Sequence, residues 1–156
     1  MNTDNIDYTA DLLDSRDLEA RLEELNEEHD SLQESILDLK EQMLESKTDE
    51  EEMEARELLE RAKDRLAEWE DEFQEEWEGL ASICSEGAGY GDWEYGETLI
   101  SADYFTEYVK DMLQDIGDLP RDIPHYIVID WDATAENIKQ DYMEIDVFGQ
   151  TYYMRA

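Results

Sequence analysis

The sequence predicts a mainly α protein of the α+β class: a long antiparallel coiled-coil helical hairpin, then a small helical domain ending in a β-hairpin. Three observations predict it. Between positions 18 and 80 apolar residues recur in alternating steps of three and four, the period of a heptad seam. A short polar interruption, Lys47-Thr48, divides that seam in two. Beyond position 85 glycines and aromatics replace the heptads, and positions 143–154 form two short apolar-rich runs about a glycine.

Residues 1–14 read as a short polar arm that docks through Ile6, Tyr8, Leu12 and Leu13. The first seam is Leu18, Leu22, Leu25, His29, Leu32, Ile36, Leu39 and Met43. Thr48 with Glu51 fits a capping box and starts a second helix. Its seam is Ala55, Leu59, Ala62, Leu66, Trp69, Phe73 and Leu80, with one longer step over Glu76 and with Trp77 on the flank. Two adjacent heptad helices with a short join fold back on each other, which sets a hairpin domain at 15–84. Residues 85–96 read as a loop anchored by Tyr90, Trp93 and Tyr95. Ser101 is expected to cap a helix running to Ile116 and ending at Gly117, with Phe105, Tyr108, Val109, Met112, Leu113 and Ile116 inward. Residues 126–129 are a short buried strand or an extended lead-in. Asp130 is expected to cap a helix from Trp131 to about Tyr142, and a β-hairpin turns at Phe148-Gly149-Gln150. The domains are therefore 1–14, 15–84 and 85–156.

The charge is extreme. Among 156 residues, 46 are acidic and 12 basic, for a net charge of -34. Such a chain repels the phosphates of nucleic acids and acidic membranes, so neither is a direct partner, and basic protein surfaces or cations are. A hydrophobic content of 40%, with four Trp and nine Tyr, separates it from disordered acidic tails. The single Cys84 makes no internal disulfide. The opening residues lack a basic and apolar leader, and no run approaches the ~18 apolar residues of a membrane span, so the chain reads as cytoplasmic.

The acidic residues are patterned. With the seam at heptad positions a and d, the outward b, c and f positions of the first helix hold Glu23, Glu24, Glu27, Asp30, Glu34, Asp38, Glu41 and Glu45. The few basic and amide groups, Arg21, Asn26, Gln33, Lys40 and Gln42, fall on the e and g flanks, which face the partner helix. Positions 17–83 carry 26 acidic and 7 basic residues, net -19. Spread along a rod of ~50 Å, this is about two thirds of the charge density of duplex DNA. Further on, Asp103, Glu107, Asp111 and Asp115 repeat at i, i+4, a spacing that costs a helix ~0.2–0.5 kcal/mol per pair. These twelve carboxylates are the candidate partner-binding, phosphate-mimicking residues.

Catalytic, metal and cofactor sites are not expected. His29 sits in the leucine seam as a register-setting residue, His125 lies in a loop, and two histidines with one cysteine build no zinc site. Carboxylate pairs are too numerous to single out an acid and a base. There is no calcium loop and no glycine loop followed by a phosphate-binding lysine. Cys84 has no basic neighbour to lower its pKa, as a buried structural thiol would not.

The C-terminal third carries a resemblance. Tyr95-Gly96-Glu97-Thr98-Leu99-Ile100, Asp103-Tyr104-Phe105-Thr106-Glu107-Tyr108, Asp115-Ile116-Gly117, Ile129-Asp130-Trp131-Asp132, Asp141-Tyr142 and Phe148-Gly149-Gln150-Thr151-Tyr152-Tyr153 resemble a segment of phage and plasmid antirestriction proteins of the ArdA-like kind. The resemblance implies a DNA mimic, carried by a phage or mobile element, that acts in the host cytoplasm on a basic DNA-binding protein of the host. Type I restriction–modification enzymes are the family's targets, and a CRISPR effector fits the same charge. The heptad hairpin departs from the elongated α/β domains of that family. Two other expectations stand beside it: a coiled-coil scaffold that forms a homodimer over the off-seam Leu37 and Leu44, and an acidic protein adapted to high salt.

Overall fold

A computed structural model describes residues 6–120 and 122–156. In chain order the elements are β1 (Leu12–Asp14), α1 (Ser15–Glu45), α2 (Asp49–Gly87), α3 (Trp93–Gly96), β2 (Thr98–Ser101), α4 (Phe105–Asp115), α5 (Trp131–Lys139), β3 (Tyr142–Val147) and β4 (Gln150–Arg155). The protein is mainly α, of the α+β class. The chain divides into two compact units: Ala20–Ala81, and a second composed of Met1–Glu19 with Ser82–Ala156.

The first unit is the helical hairpin. Leu25, Ile36, Leu59, Ala62, Trp69 and Leu80 are buried along its seam, and Leu22, Leu32, Leu39, Met43, Leu66 and Phe73 are half-buried. The join at 46–48 is capped as its residues dictate. Thr48 Oγ1 accepts from the Glu51 N–H at 3.1 Å, and the Glu51 carboxylate accepts from the Lys47 N–H at 2.9 Å. The long step over Glu76 has a chemical cause. Arg21, only 4% exposed, donates to both Glu76 carboxylate oxygens at 3.0 and 3.2 Å, and to Glu24 at 3.1 Å, with its guanidinium over the Phe73 ring. A seam position is thus occupied by an ion pair, with each Arg21 nitrogen donating to a carboxylate. Nearby His29 lies with its ring centroid 4.4 Å from that of Trp77 and 5.3 Å from that of Trp69. The two indoles donate to Asn26 (2.7 Å) and Glu28 (2.9 Å), so their polar ends are satisfied.

The second unit is built on a four-stranded antiparallel sheet in the order β1-β2-β4-β3. This enlarges the expected β-hairpin and corrects other readings. The arm does not merely dock: Leu12–Asp14 is an edge strand, registered Leu12↔Ile100. Ser101 does not cap a helix: its N–H bonds Asp11 O at 2.8 Å within the sheet, and α4 begins four residues later at Phe105. Of the two readings of residues 126–129 the lead-in to α5 stands and the buried strand does not, since Tyr126, Ile127 and Val128 are 76%, 50% and 89% exposed. Asp130 does cap α5, accepting from the Ala133 N–H at 3.1 Å. That helix stops at Lys139 because Tyr142 enters β3. Phe148 and Gly149 both have positive φ (50° and 86°), the two-residue turn that matches strand twist.

Helices α4 and α5 cover one sheet face through Ile100, Phe105, Val109, Ala135 and Tyr153. Tyr108, Met112 and Leu113 are half-buried, but Ile116, the C-cap of α4, is exposed. On β4 the neighbouring Tyr152 is fully buried, and its hydroxyl lies 2.8 Å from Tyr8 O and 2.7 Å from Ala10 O. Of the expected loop anchors only Trp93 is buried; Tyr90 and Tyr95 are exposed. The Trp93 ring fills the space where a side chain at Gly87 would stand, and its Nε1 donates to Glu19 at 2.7 Å. The buried Ser15 fastens this loop: its hydroxyl donates to Trp93 O at 2.8 Å and accepts from the Glu97 N–H at 2.7 Å.

Candidate protein-binding surface

Helical geometry decides where the carboxylates point. On α1, Glu23, Glu27, Asp30, Glu34, Asp38, Glu41 and Glu45 are all exposed. Glu24 is the exception, half-buried and drawn into the Arg21 ion pair. On the other unit Asp103, Glu107, Asp111 and Asp115 are exposed, with Asp103 in the turn before α4. Among the described residues Glu24 is the one member of the twelve held in an ion pair. The other eleven carboxylates therefore present charge to solvent without a partner cation among the described residues.

The charge is not spread evenly along the hairpin, and a rod-length average hides this. Residues 20–34 and 66–81, the half farthest from the join, contain 13 acidic residues and one basic residue, the buried Arg21. Residues 35–65, the half containing the join, contain 11 acidic and 6 basic residues. The net charges are -12 and -5. Fifteen residues of helix rise span ~22 Å, and duplex DNA of that length carries ~13 charges. The far half thus approaches the charge density of a duplex, while the join half falls well short. The clustering of Lys40, Lys47, Arg56, Arg61, Lys63 and Arg65 within 26 positions is the sequence signal for this gradient.

Titration is perturbed mainly inside the sheet unit. Burial, reinforced by the Glu19 carboxylate, pushes the Cys84 thiol up to about 12. The thiol is therefore protonated and inert at neutral pH. Burial, with the Asp92 charge, raises Glu97, and the Arg16 guanidinium holds Asp14 below the ordinary carboxylate range. Among the described residues no group of three or more His, Cys, Asp or Glu could hold a metal ion, and no helix is long and apolar enough to cross a membrane. No protein-family model, curated protein or solved structure matches the chain.

Proposed function

We propose that this protein is an acidic DNA mimic that inhibits a basic DNA-binding defence protein of a bacterial host by filling its DNA groove. The supporting observation is the far half of the hairpin, net -12 over ~22 Å, close to the linear charge density of a duplex. Its exposed Glu23, Glu27, Asp30 and Glu34 stand where phosphates would lie, extended along α1 by Asp38, Glu41 and Glu45. Lys and Arg that line a nucleic-acid groove gain these carboxylates as counterions. The long-range field of the chain steers the encounter, so association is fast and falls with ionic strength. No bond is made or broken, and no cofactor takes part. The target is a type I restriction–modification enzyme or a CRISPR effector, and the site of action is the host cytoplasm where these enzymes meet DNA.

A tagged chain incubated with bacterial lysate at low salt, washed along a NaCl gradient and then challenged with duplex DNA tests the proposal. Retention of a DNA-binding defence enzyme that DNA displaces is the expected result. If nothing that binds nucleic acid is retained, or DNA fails to compete, the charge serves solvation alone and the inhibitor reading falls.

A further inference from the structure

We propose that one edge of the hairpin is a self-complementary interface through which two copies of this chain pair antiparallel about a two-fold axis. In an antiparallel hairpin the e positions of both helices meet along one edge, with the b positions beside them. The hydrogen bond from Trp77 Nε1 to Asn26, both e positions, marks that edge. Near the join it displays Leu37, Leu44 and Met53, exposed by 60%, 87% and 64%. On the same stretch stand the exposed cations Lys40, Arg56 and Lys63, with Asp49 and Glu60 as the carboxylates at e or b positions there. Farther from the join the same edge holds Glu23, Asp30 and Glu70 and no cation, with exposed Ala67 and half-buried Trp77 as its apolar surface.

The edge is therefore cationic and apolar at one end and acidic at the other. A two-fold axis across its middle sets each end on the opposite end of the second copy. Lys40, Arg56 and Lys63 then face the mate's Glu23, Asp30 and Glu70, and each copy's leucines lie toward the mate's Ala67 and Trp77. Such a contact is isologous and closes at two copies. A second copy is the occupant this edge fits, because its own acidic end carries the complementary charge over the same ~22 Å. The internal pairs Arg56–Glu52 (3.2 Å) and Lys63–Glu60 (3.9 Å) are solvent-exposed and hold these cations weakly, leaving them able to change partners. The net charge of -34 opposes the approach of two copies at long range, and physiological salt, with a Debye length of ~8 Å, screens that repulsion. The dimer consumes Glu23 and Asp30 but leaves Glu27, Glu34 and Glu41 outward, so it stands whether or not the carboxylates bind a DNA-groove target.

Sedimentation equilibrium of the full chain at ~0.15 M salt provides the test. Wild type is expected to dimerise. The variant carrying Lys40→Glu, Arg56→Glu and Lys63→Glu, and the variant carrying Glu23→Lys, Asp30→Lys and Glu70→Lys, should each self-associate at least about tenfold more weakly. An equimolar mixture of the two should recover the dimer, because each altered end meets its new complement. Circular dichroism of each variant separates loss of pairing from loss of fold. A wild type that stays monomeric to ~100 µM, charge swaps without effect, or folded variants that fail to pair when mixed would each overturn the proposal.

Discussion

The two units carry equal net charge, -17 each, but they are made of different acids. Of the 24 acidic residues in the hairpin unit, 19 are glutamate; of the 22 in the sheet unit, 15 are aspartate. The reason is local. Glutamate loses little rotamer freedom in a helix and carries its charge away from the backbone, whereas aspartate competes for nearby N–H groups and so favours caps and turns. In the sheet unit aspartates do that work: Asp7 bonds Thr9, Asp14 bonds Arg16, Asp130 caps α5, and Asp146 accepts from the Gly149 N–H at 2.8 Å. In the hairpin most of the charge is displayed on exposed helix faces; in the sheet unit four of the 15 aspartates are occupied in holding turns or a cap. Equal charge therefore does not mean equal capacity to bind a basic surface.

The hairpin has one buried exception to that display, and breaking it should have the largest effect. Glu76→Ala leaves the 4%-exposed Arg21 with Glu24 as its remaining carboxylate in the pair and is expected to cost about 2–3 kcal/mol in urea unfolding. Replacing both Arg21 and Glu76 by Leu should cost less, because it extends the apolar seam instead of stranding a charge. Next is the contrast between the exposed acids of the two units. The triple change Glu27→Gln, Glu34→Gln and Glu41→Gln should weaken target binding about tenfold with no loss of fold. The change of Asp103, Asp111 and Asp115 to Asn should weaken it less than about twofold. The reverse order in a binding titration would move the site to α4.

The sheet unit has a pH response of its own. Because the folded pKa of Cys84 is raised, its stabilising contribution is complete below the unfolded thiol pKa near 9 and declines as pH rises toward about 12. Wild type should therefore lose about 1 kcal/mol relative to Cys84→Ala between pH 8 and pH 10, measured by paired unfolding curves. A parallel pair of curves would show that the buried thiolate carries no penalty. The smallest effect lies at the join, where Thr48→Ala removes a single cap bond and should cost about 1 kcal/mol or slightly less.

What was legible in the sequence follows the range of the interactions. Heptads are local, so every seam residue of both helices is buried or half-buried as expected, and the capping residues Thr48 and Asp130 stand where they should. The strands β1 and β2 were missed because three or four residues hold no readable period, and their pairing joins positions 84–88 apart in sequence. The apolar triplet Tyr126-Ile127-Val128 misled for the opposite reason: its composition is that of a strand, yet no neighbour pairs with it among the described residues. Of the candidate carboxylates, Glu24 alone was misjudged as outward. Its c position is solvent-facing on an isolated helix, but Arg21 three residues earlier pulls it toward the seam. The skipped seam step at Glu76 was visible, and so was the cation at Arg21; what periodicity could not supply was that the two meet across the hairpin.

The insertion of the hairpin in the sequence between β1 and β2 has a kinetic consequence. Leu12 must find Ile100 across a chain segment longer than most small domains, and closing so long a loop from the unfolded state is entropically slow. The hairpin removes that search. Its helices begin one residue after β1 and end eleven residues before β2, and each heptad that zips shortens the gap the two strands still have to close. Helix pairing is fast and local, so the sheet inherits its longest-range contact from a short-range event. A cut or a flexible insert in the join at 46–48 would undo this, and would slow sheet formation far more than it weakened the finished fold.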